Sequence, residues 1–364
     1  MNLVISSLEM ITSVGRDLAH ACASIRAGIS RPRDIDYFEV LDPETQDMVP
    51  LVGSPIRAYT EGFTLVGLWI RIAKGCLLNL VQRSNLPDKS HRSFWQESAL
   101  IGVTPYIDDD RFLSKGNETP DLIKEAYLYP LHEYLDLPIL IKNLYTVCMG
   151  HTGTITAIAM AESLISSSDI RRVIILAVDS YLDRLTLEWL AKYERLKSAA
   201  NPTGLAPGEA GACFLLESAS TCEQRNTPFL AAVESVGLEK ESQDFFSGEI
   251  NRGVGLSRAI EQALRNAPIE LPFIGDLISD QNGENWRACE LAGAKILLHN
   301  KVSPLCSLVL PGISIGDVGA ASGAVSLCIA VQSLVRHYSS GDRTLVLTSS
   351  EHGHVGAACV KRAV

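Results

Sequence analysis

Two stretches, "RRVIILAVDS" at 171 to 180 and "RTLVLTSS" at 343 to 350, are nearly unbroken runs of β-branched and apolar residues. A strand with one wet face alternates polar and apolar positions, whereas a strand covered on both faces has no reason to. Each run follows small and apolar residues at helical spacing: 152 to 167 before the first, and "GAASGAVSLCIAVQSLVRHY" at 319 to 338 before the second. Helices that alternate with doubly covered strands define an α/β chain. The same order opens each half. "NLVISSLEM" (2 to 10) is strand-like and leads into helical spacing over 13 to 28, with Ser13 as candidate N-cap and Gly28 as stop. "PFLAAVESVGLE" (228 to 239) leads into a helix over 253 to 267. The pattern predicts a duplicated α/β chain whose halves meet near residue 220, divided as 1–222 and 223–364. Residues 84–143, with Pro, Asp and Lys scattered between short apolar segments, are predicted to form a cap or insertion over a site.

Composition narrows the function. A chain of 364 residues, 46% hydrophobic and 20% charged, can bury a large core. Its formal net charge is −10 and no run of Lys or Arg exceeds a pair, so the phosphate-neutralising stripe of a nucleic-acid binder is missing. The same deficit argues against an acidic membrane surface. The nine cysteines are odd in number, lack CxxC spacing and mostly lie in apolar runs, which predicts buried thiols in a cytoplasmic protein and no metal site. The opening "MNLVISSLEMITSVG" has no basic n-region and no apolar run near the roughly 20 residues of a membrane span, so neither export signal nor anchor is expected.

The turns carry the candidate chemistry. "LYTVCMGHTGTITAIAMAESLISS" (144 to 167) reads as a strand, a sharp elbow permitted by Gly150 and Gly153, and a helix. A side chain at the apex of that elbow would sit over the positive end of the helix, which lowers a thiol pKa and suits a cysteine nucleophile. Spacing alone leaves open whether Cys148 is that nucleophile or a core thiol in a tight turn. "NPTGLAPGEAGACFLLES" (201 to 218) is a glycine- and proline-rich loop feeding an apolar strand, with Glu209 inside it. "LTLEWLAKYERLKS" (185 to 198) reads as a surface helix without chemistry. "YIDDDRF" (106 to 112) reads as a solvated loop and not as a cation site, because consecutive carboxylates repel unless other ligands converge on them.

Four of these landmarks, in order along nearly the whole chain, resemble the β-ketoacyl-acyl-carrier-protein synthases, condensing enzymes of the thiolase fold. "SLEMITSVGRDLAHACASIRAG" is similar to that family's opening strand and turn. "TGLAPGEAGACFLLE" matches its G-F-x-x-G-E-G-A-G loop, "SIGDVGAASGAVSLCIAV" its T-G-H-x-x-G-A-A-G-A segment, and "TSSEHGHVGAACVKRAV" its terminal N-S-F-G-F-G-G-T-N strand. The resemblance implies a thiolase-like fold of two pseudo-symmetric halves with layered helices and sheets. It also implies a cysteine at the elbow, usually two histidines, no cofactor, and Gly208, Glu209 and Gly353 on the substrate side of the site.

The three catalytic positions depart from the family together. An ungapped match of the elbow helix puts His151 where the nucleophilic cysteine stands, with Cys148 three residues earlier in the incoming strand. Asp317 stands where T-G-H has its histidine, and "LISDQNGENWRACELAGA" (277 to 294) has Gln281 or Asn282 where the second histidine belongs. An anion at 317 would repel a developing enolate, where a condensing site needs donors. The resemblance therefore implies a catalytically degenerate member that acts by binding. It would be a homodimer, a heterodimer with another thiolase-fold subunit, a partner of an acyl-carrier protein, or an accessory protein for a type VI secretion effector. The competing expectation is an active acyltransferase using Cys148 with His352 or His354. Those two histidines stand at i and i+2 and would point the same way on an extended segment, where with His151 they would make a metal cluster or, failing that, fill the space of a lost Phe.

Overall fold

The computed structural model describes residues 3–107, 109–112 and 120–363. Among the described residues twelve strands follow in chain order: β1 (Leu3–Thr12), β2 (Arg33–Leu41), β3 (Met48–Gly53), β4 (Ser98–Thr104), β5 (Leu144–Cys148), β6 (Arg172–Ser180), β7 (Glu209–Ser218), β8 (Ala231–Lys240), β9 (Asp276–Ser279), β10 (Ser307–Val309), β11 (Arg343–Ser349) and β12 (His354–Arg362). β2 and β3 form a separate hairpin, and the other strands make one sheet in the order β10-β9-β11-β12-β8-β1-β7-β6-β4-β5. That order repeats outward from its middle. β1-β7-β6-β4-β5 runs one way and β8-β12-β11-β9-β10 the other; on each side the first two pairings are antiparallel and the last two parallel. β1 and β8 join antiparallel over Leu3–Ile5 and Ala231–Val233. The repeated element order of the sequence is thus a repeated sheet order.

The unbroken apolar run of β6 has a direct cause. Successive side chains of a strand point to opposite faces, and here both faces are dry. Ile175 and Ala177 pack with Ala157 and Ala161 of the helix Gly153–Ser167 and with Ala324 and Cys328 of the helix Ser322–Val335. Ile174 and Leu176 point the other way, into Trp69, Ile72, Cys76 and Leu80 of the helix Leu65–Arg83. That helix is long and apolar enough to cross a membrane by length and composition, yet Leu68, Ile72, Ala73 and Leu77 are buried in the core. Around β11 and β12, Leu345, Leu347, Val355 and Ala357 are covered by Leu256, Ile260 and Ala263 of the helix Val254–Asn266.

Four local readings need correction. The first helix runs Leu18–Arg26, and its cap is Asp17, which accepts from the His20 amide at 3.0 Å, in place of Ser13. Within 84–143, Ser98–Thr104 is an inner strand of the main sheet, because its buried apolar residues complete the layer between β5 and β6. The helix read over 185 to 198 stops at Lys192, and a left-handed Glu194 (φ 54°) turns the chain so that Arg195 is buried. Of the acidic run at 106 to 112, Asp108 lies outside the described residues, Asp110 is exposed and paired with Lys192, and Arg111 is buried.

Candidate functional site

Two elbows of the same build meet beneath the sheet ends. In the first, Met149 (φ −125°, ψ 17°) and left-handed Gly150 (φ 54°) turn β5 into a short 3-10 segment and the helix Gly153–Ser167. In the second, Val318 (φ −113°, ψ 21°) and Gly319 (φ 51°) lead into a 3-10 segment and the helix Ser322–Val335. A positive φ is open to glycine at little cost, which explains the residue type at both turns. At Gly319 a Cβ would also lie 2.0 Å from Asp179 Oδ2. His151, next after Gly150, stands on the first elbow and is 1% exposed.

His151 is held between carboxylates. Its Nε2 is 2.9 Å from Asp317 Oδ1, and its Nδ1 is 3.6 Å from Glu351 Oε2. Burial and the Arg287 guanidinium push the imidazole pKa down, but Asp317 and Glu351 push harder, and the net shift is upward. The Asp317 carboxyl is raised by burial, yet the His151 charge, Arg287 and the Asn282 amide hold it well below the carboxylate range. Glu351 likewise overcomes its burial through Arg195, His151 and Arg287 and falls to about 2.

The network continues outward from Asp317. Asn282 Nδ2 donates to Asp317 Oδ2 and to Glu284 Oε2, each at 2.7 Å. Glu284 accepts from Arg195 Nε at 2.7 Å and from its NH2 at 2.9 Å. Arg287 NH1 lies 3.2 Å from Asp280 Oδ1. On the other side of the second elbow, Asp179 binds Arg111 at 2.7 Å and accepts the Ala320 amide at 2.9 Å. The void left against Asp280, Asn282 and Asp317 is about 10 Å³, at the lower limit for one water molecule. Such an arrangement holds paired charge in the interior.

The remaining sequence candidates are dispersed. Cys148 ends β5 half-buried and is bonded by Thr104 Oγ1 at 3.3 Å; burial raises its thiol pKa, the reverse of an activated nucleophile. His352 and His354 do not share a face, because the chain turns through Gly353 (φ 81°) between them. The His352 ring stacks on Tyr106 with centroids 4.1 Å apart, whereas His354 begins β12 and lines a small cleft with Met149 and Thr152. Among the described residues no metal-type cluster of His, Cys, Asp and Glu exists. Gln281 turns away to donate to the Arg287 carbonyl at 2.6 Å.

The glycine- and proline-rich loop at 201 to 218 is an internal brace. Gly208 donates its amide to the Asp317 carbonyl at 2.8 Å, and a Cβ there would meet the Ile315 carbonyl oxygen at 2.1 Å. Glu209, 1% exposed, accepts from the Ile56 amide at 2.7 Å, from Ser180 Oγ at 3.1 Å and from Thr60. Sequence reasoning missed Arg195, Glu284, Arg287, Asp280 and Glu351. The signal was available in "SDQNGENWRACE", where four charged side chains crowd a segment between a doubly covered strand and a helix.

No family model and no curated protein matches the sequence. Solved structures match it over the whole chain. The ishigamide ketosynthase/chain length factor gives a TM-score of 0.77 at 16% identity over 99% of that chain. A type II polyketide synthase acyl-carrier protein in complex with its ketosynthase gives 0.75 at 13% over 99%. A β-ketoacyl synthase from Burkholderia phymatum STM815 gives 0.71 at 13% over 100%. The fold is therefore the thiolase-like fold of the ketosynthases.

Proposed function

We propose that the protein is a catalytically silent ketosynthase-like subunit that works by binding, with a second thiolase-fold chain as its partner. The observation that carries this reading is the ion pair of His151 with Asp317, which fills the position of a nucleophile with one end of a buried salt bridge. A condensing site needs a thiolate, donors aimed at an enolate and room for an acyl thioester. Here the apex is an imidazole between two carboxylates, and the void against its partner Asp317 is about 10 Å³. The partner surface is the edge strand β5, whose outer side has no neighbouring strand among the described residues. Its ketosynthase/chain-length-factor and carrier-protein neighbours in fold space support a partner of that kind.

The test is reactivity. With a cerulenin-like, thiol-directed acylating probe, exposed Cys289 reacts first and Cys148 stays unmodified. Cys148→Ala costs only packing, about 1 to 2 kcal/mol. Selective labelling of Cys148, or carbon dioxide release from malonyl carrier protein that the folded alanine variant loses, would overturn the reading in favour of an acyltransferase.

A further inference from the structure

Away from the His151 network, the turn after β1 opens a cleft of about 660 Å³ lined by Arg16, Arg31, Arg33 and Arg57. Four arginines line it in a chain of net charge −10. Arg16 is used structurally: its NH2 donates to the Arg57 carbonyl at 2.6 Å. Among the described residues Arg31, Arg33 and Arg57 have no ion pair and no side-chain hydrogen bond, and all three are exposed. The lining includes a single acid, Asp17, which is already offset by Arg83 at 3.1 Å and His20 at 2.8 Å. The lining of the cleft is thus positive, with further carboxylates, Asp34, Asp36 and Glu61, in the adjoining cleft that Arg33 and Arg57 also border.

A second observation is independent of charge. Ser13 lines the cleft, is 8% exposed, and its Oγ is buried without a hydrogen-bond partner. The helix that follows has its cap in Asp17, so capping does not occupy the Ser13 hydroxyl. A buried hydroxyl left unbonded destabilises the fold, and most such groups in proteins are bonded by something. An acceptor delivered by a ligand would complete it.

We propose that this cleft binds a phosphorylated small molecule, with the phosphate held by Arg31, Arg33 and Arg57 and the Ser13 hydroxyl donating from the floor. Guanidinium forks match phosphate oxygens in pairs. A concave cleft of this volume lies in the range of small-molecule sites. A phospholipid headgroup carries the same chemistry, so solution and membrane sources need separate arms.

Inorganic pyrophosphate is the soluble probe, titrated calorimetrically into the full chain, and phosphatidic acid vesicles in a sedimentation assay are the membrane probe. Saturable one-to-one binding of pyrophosphate is expected, weakened about tenfold or more by the Arg33→Gln, Arg57→Gln double variant and left unchanged by Arg265→Gln on the helix Val254–Asn266. Ser13→Ala is expected to weaken binding without lowering the melting temperature, since it removes an unpartnered group. No saturable binding, equal binding by the double variant, unchanged affinity in Ser13→Ala, or binding to vesicles alone would each overturn the proposal.

Discussion

His151 Nε2 and Asp317 Oδ1, 166 residues apart in sequence, meet at 2.9 Å and lock the two elbows of the molecule together. The elbows correspond turn for turn, Met149 with Val318 and Gly150 with Gly319, so Asp317 is the counterpart of Cys148 in the repeated plan. A fold that brings two strand-to-helix turns face to face provides one deep, dry position where their side chains meet. Here it is filled by an acid and a base.

Removing one partner of this pair should be costly. Asp317→Ala leaves His151 buried beside Arg287 and should lower stability by about 3 to 5 kcal/mol, the usual loss when a buried charge loses its partner. The His151→Ala, Asp317→Ala double variant should cost less than the two single losses added together. Urea denaturation measures both. A single-variant loss below about 1 kcal/mol, the worth of an exposed pair, would count against the network as a structural element.

The same pair sets a pH profile. His151 has its pKa raised above 6.5, since Asp317 and Glu351 outweigh burial and Arg287; Tyr181 is the remaining ring packed on it, edge-on at 6.2 Å. Its contribution is fully present below pH 6.5 and is lost as pH rises through the folded value. Glu290, raised to about 7 by burial, acts in the same direction between its ordinary 4.5 and 7. Asp317 and Glu351 are depressed from 3.8 and 4.5, so their stabilisation is present above those values and lost as acid is added. Melting temperature should therefore be highest near pH 4.5, fall toward pH 7 as Glu290 exerts its share, and fall further as His151 loses its proton. In His151→Gln the limb above pH 7 should flatten. An equally steep limb in that variant would assign it to another group.

How much of this was legible in advance follows from what each feature depends on. The doubly covered strands β6 and β11 were readable because burial on both faces leaves a local mark in the sequence. His151 and Asp317 were readable as odd residues at marked turns. Arg195 was not, because its burial depends on the left-handed turn at Glu194 and on Glu284, 89 residues away. The pattern of charges at 185 to 198 is that of a surface helix until the turn is known. His352 and His354 misled for a similar reason: equal spacing implies a shared face only while the strand stays extended, and Gly353 ends it.

The edge of the sheet gives the partner reading its own test. In β5, Leu144 and Val147 point into the core while Tyr145, Thr146 and Cys148 are half-buried, so only part of the strand is available to another chain. Thr146→Lys places a charge on that edge, and charged edge residues oppose strand pairing between chains. Light scattering should show a dimer for the wild type and a shift toward monomer for the variant. An unchanged mass in well-folded protein would remove β5 as the contact.

The last prediction concerns restoring the family's chemistry. In the triple variant His151→Cys, Asp317→His, Asn282→His the elbow helix would still favour a thiolate, and two imidazoles would stand where donors to an enolate belong. We expect no malonyl decarboxylation from it. The changes delete the anchor of Asn282 on Asp317 and Glu284, but Arg195, Glu284, Arg287 and Asp280 stay, each buried and each charged. The void against Asp280, Asn282 and Asp317 is about 10 Å³, far too small for a carrier-bound acyl thioester. A displacement of even 1 Å in the reacting groups can cost about 100-fold in rate. The assay is carbon dioxide release from malonyl carrier protein, with folding verified by circular dichroism. Release clearly above that of the wild type would mean that the charged network yields to a substrate, and the site would then have to be regarded as a ketosynthase pocket lacking only its three side chains.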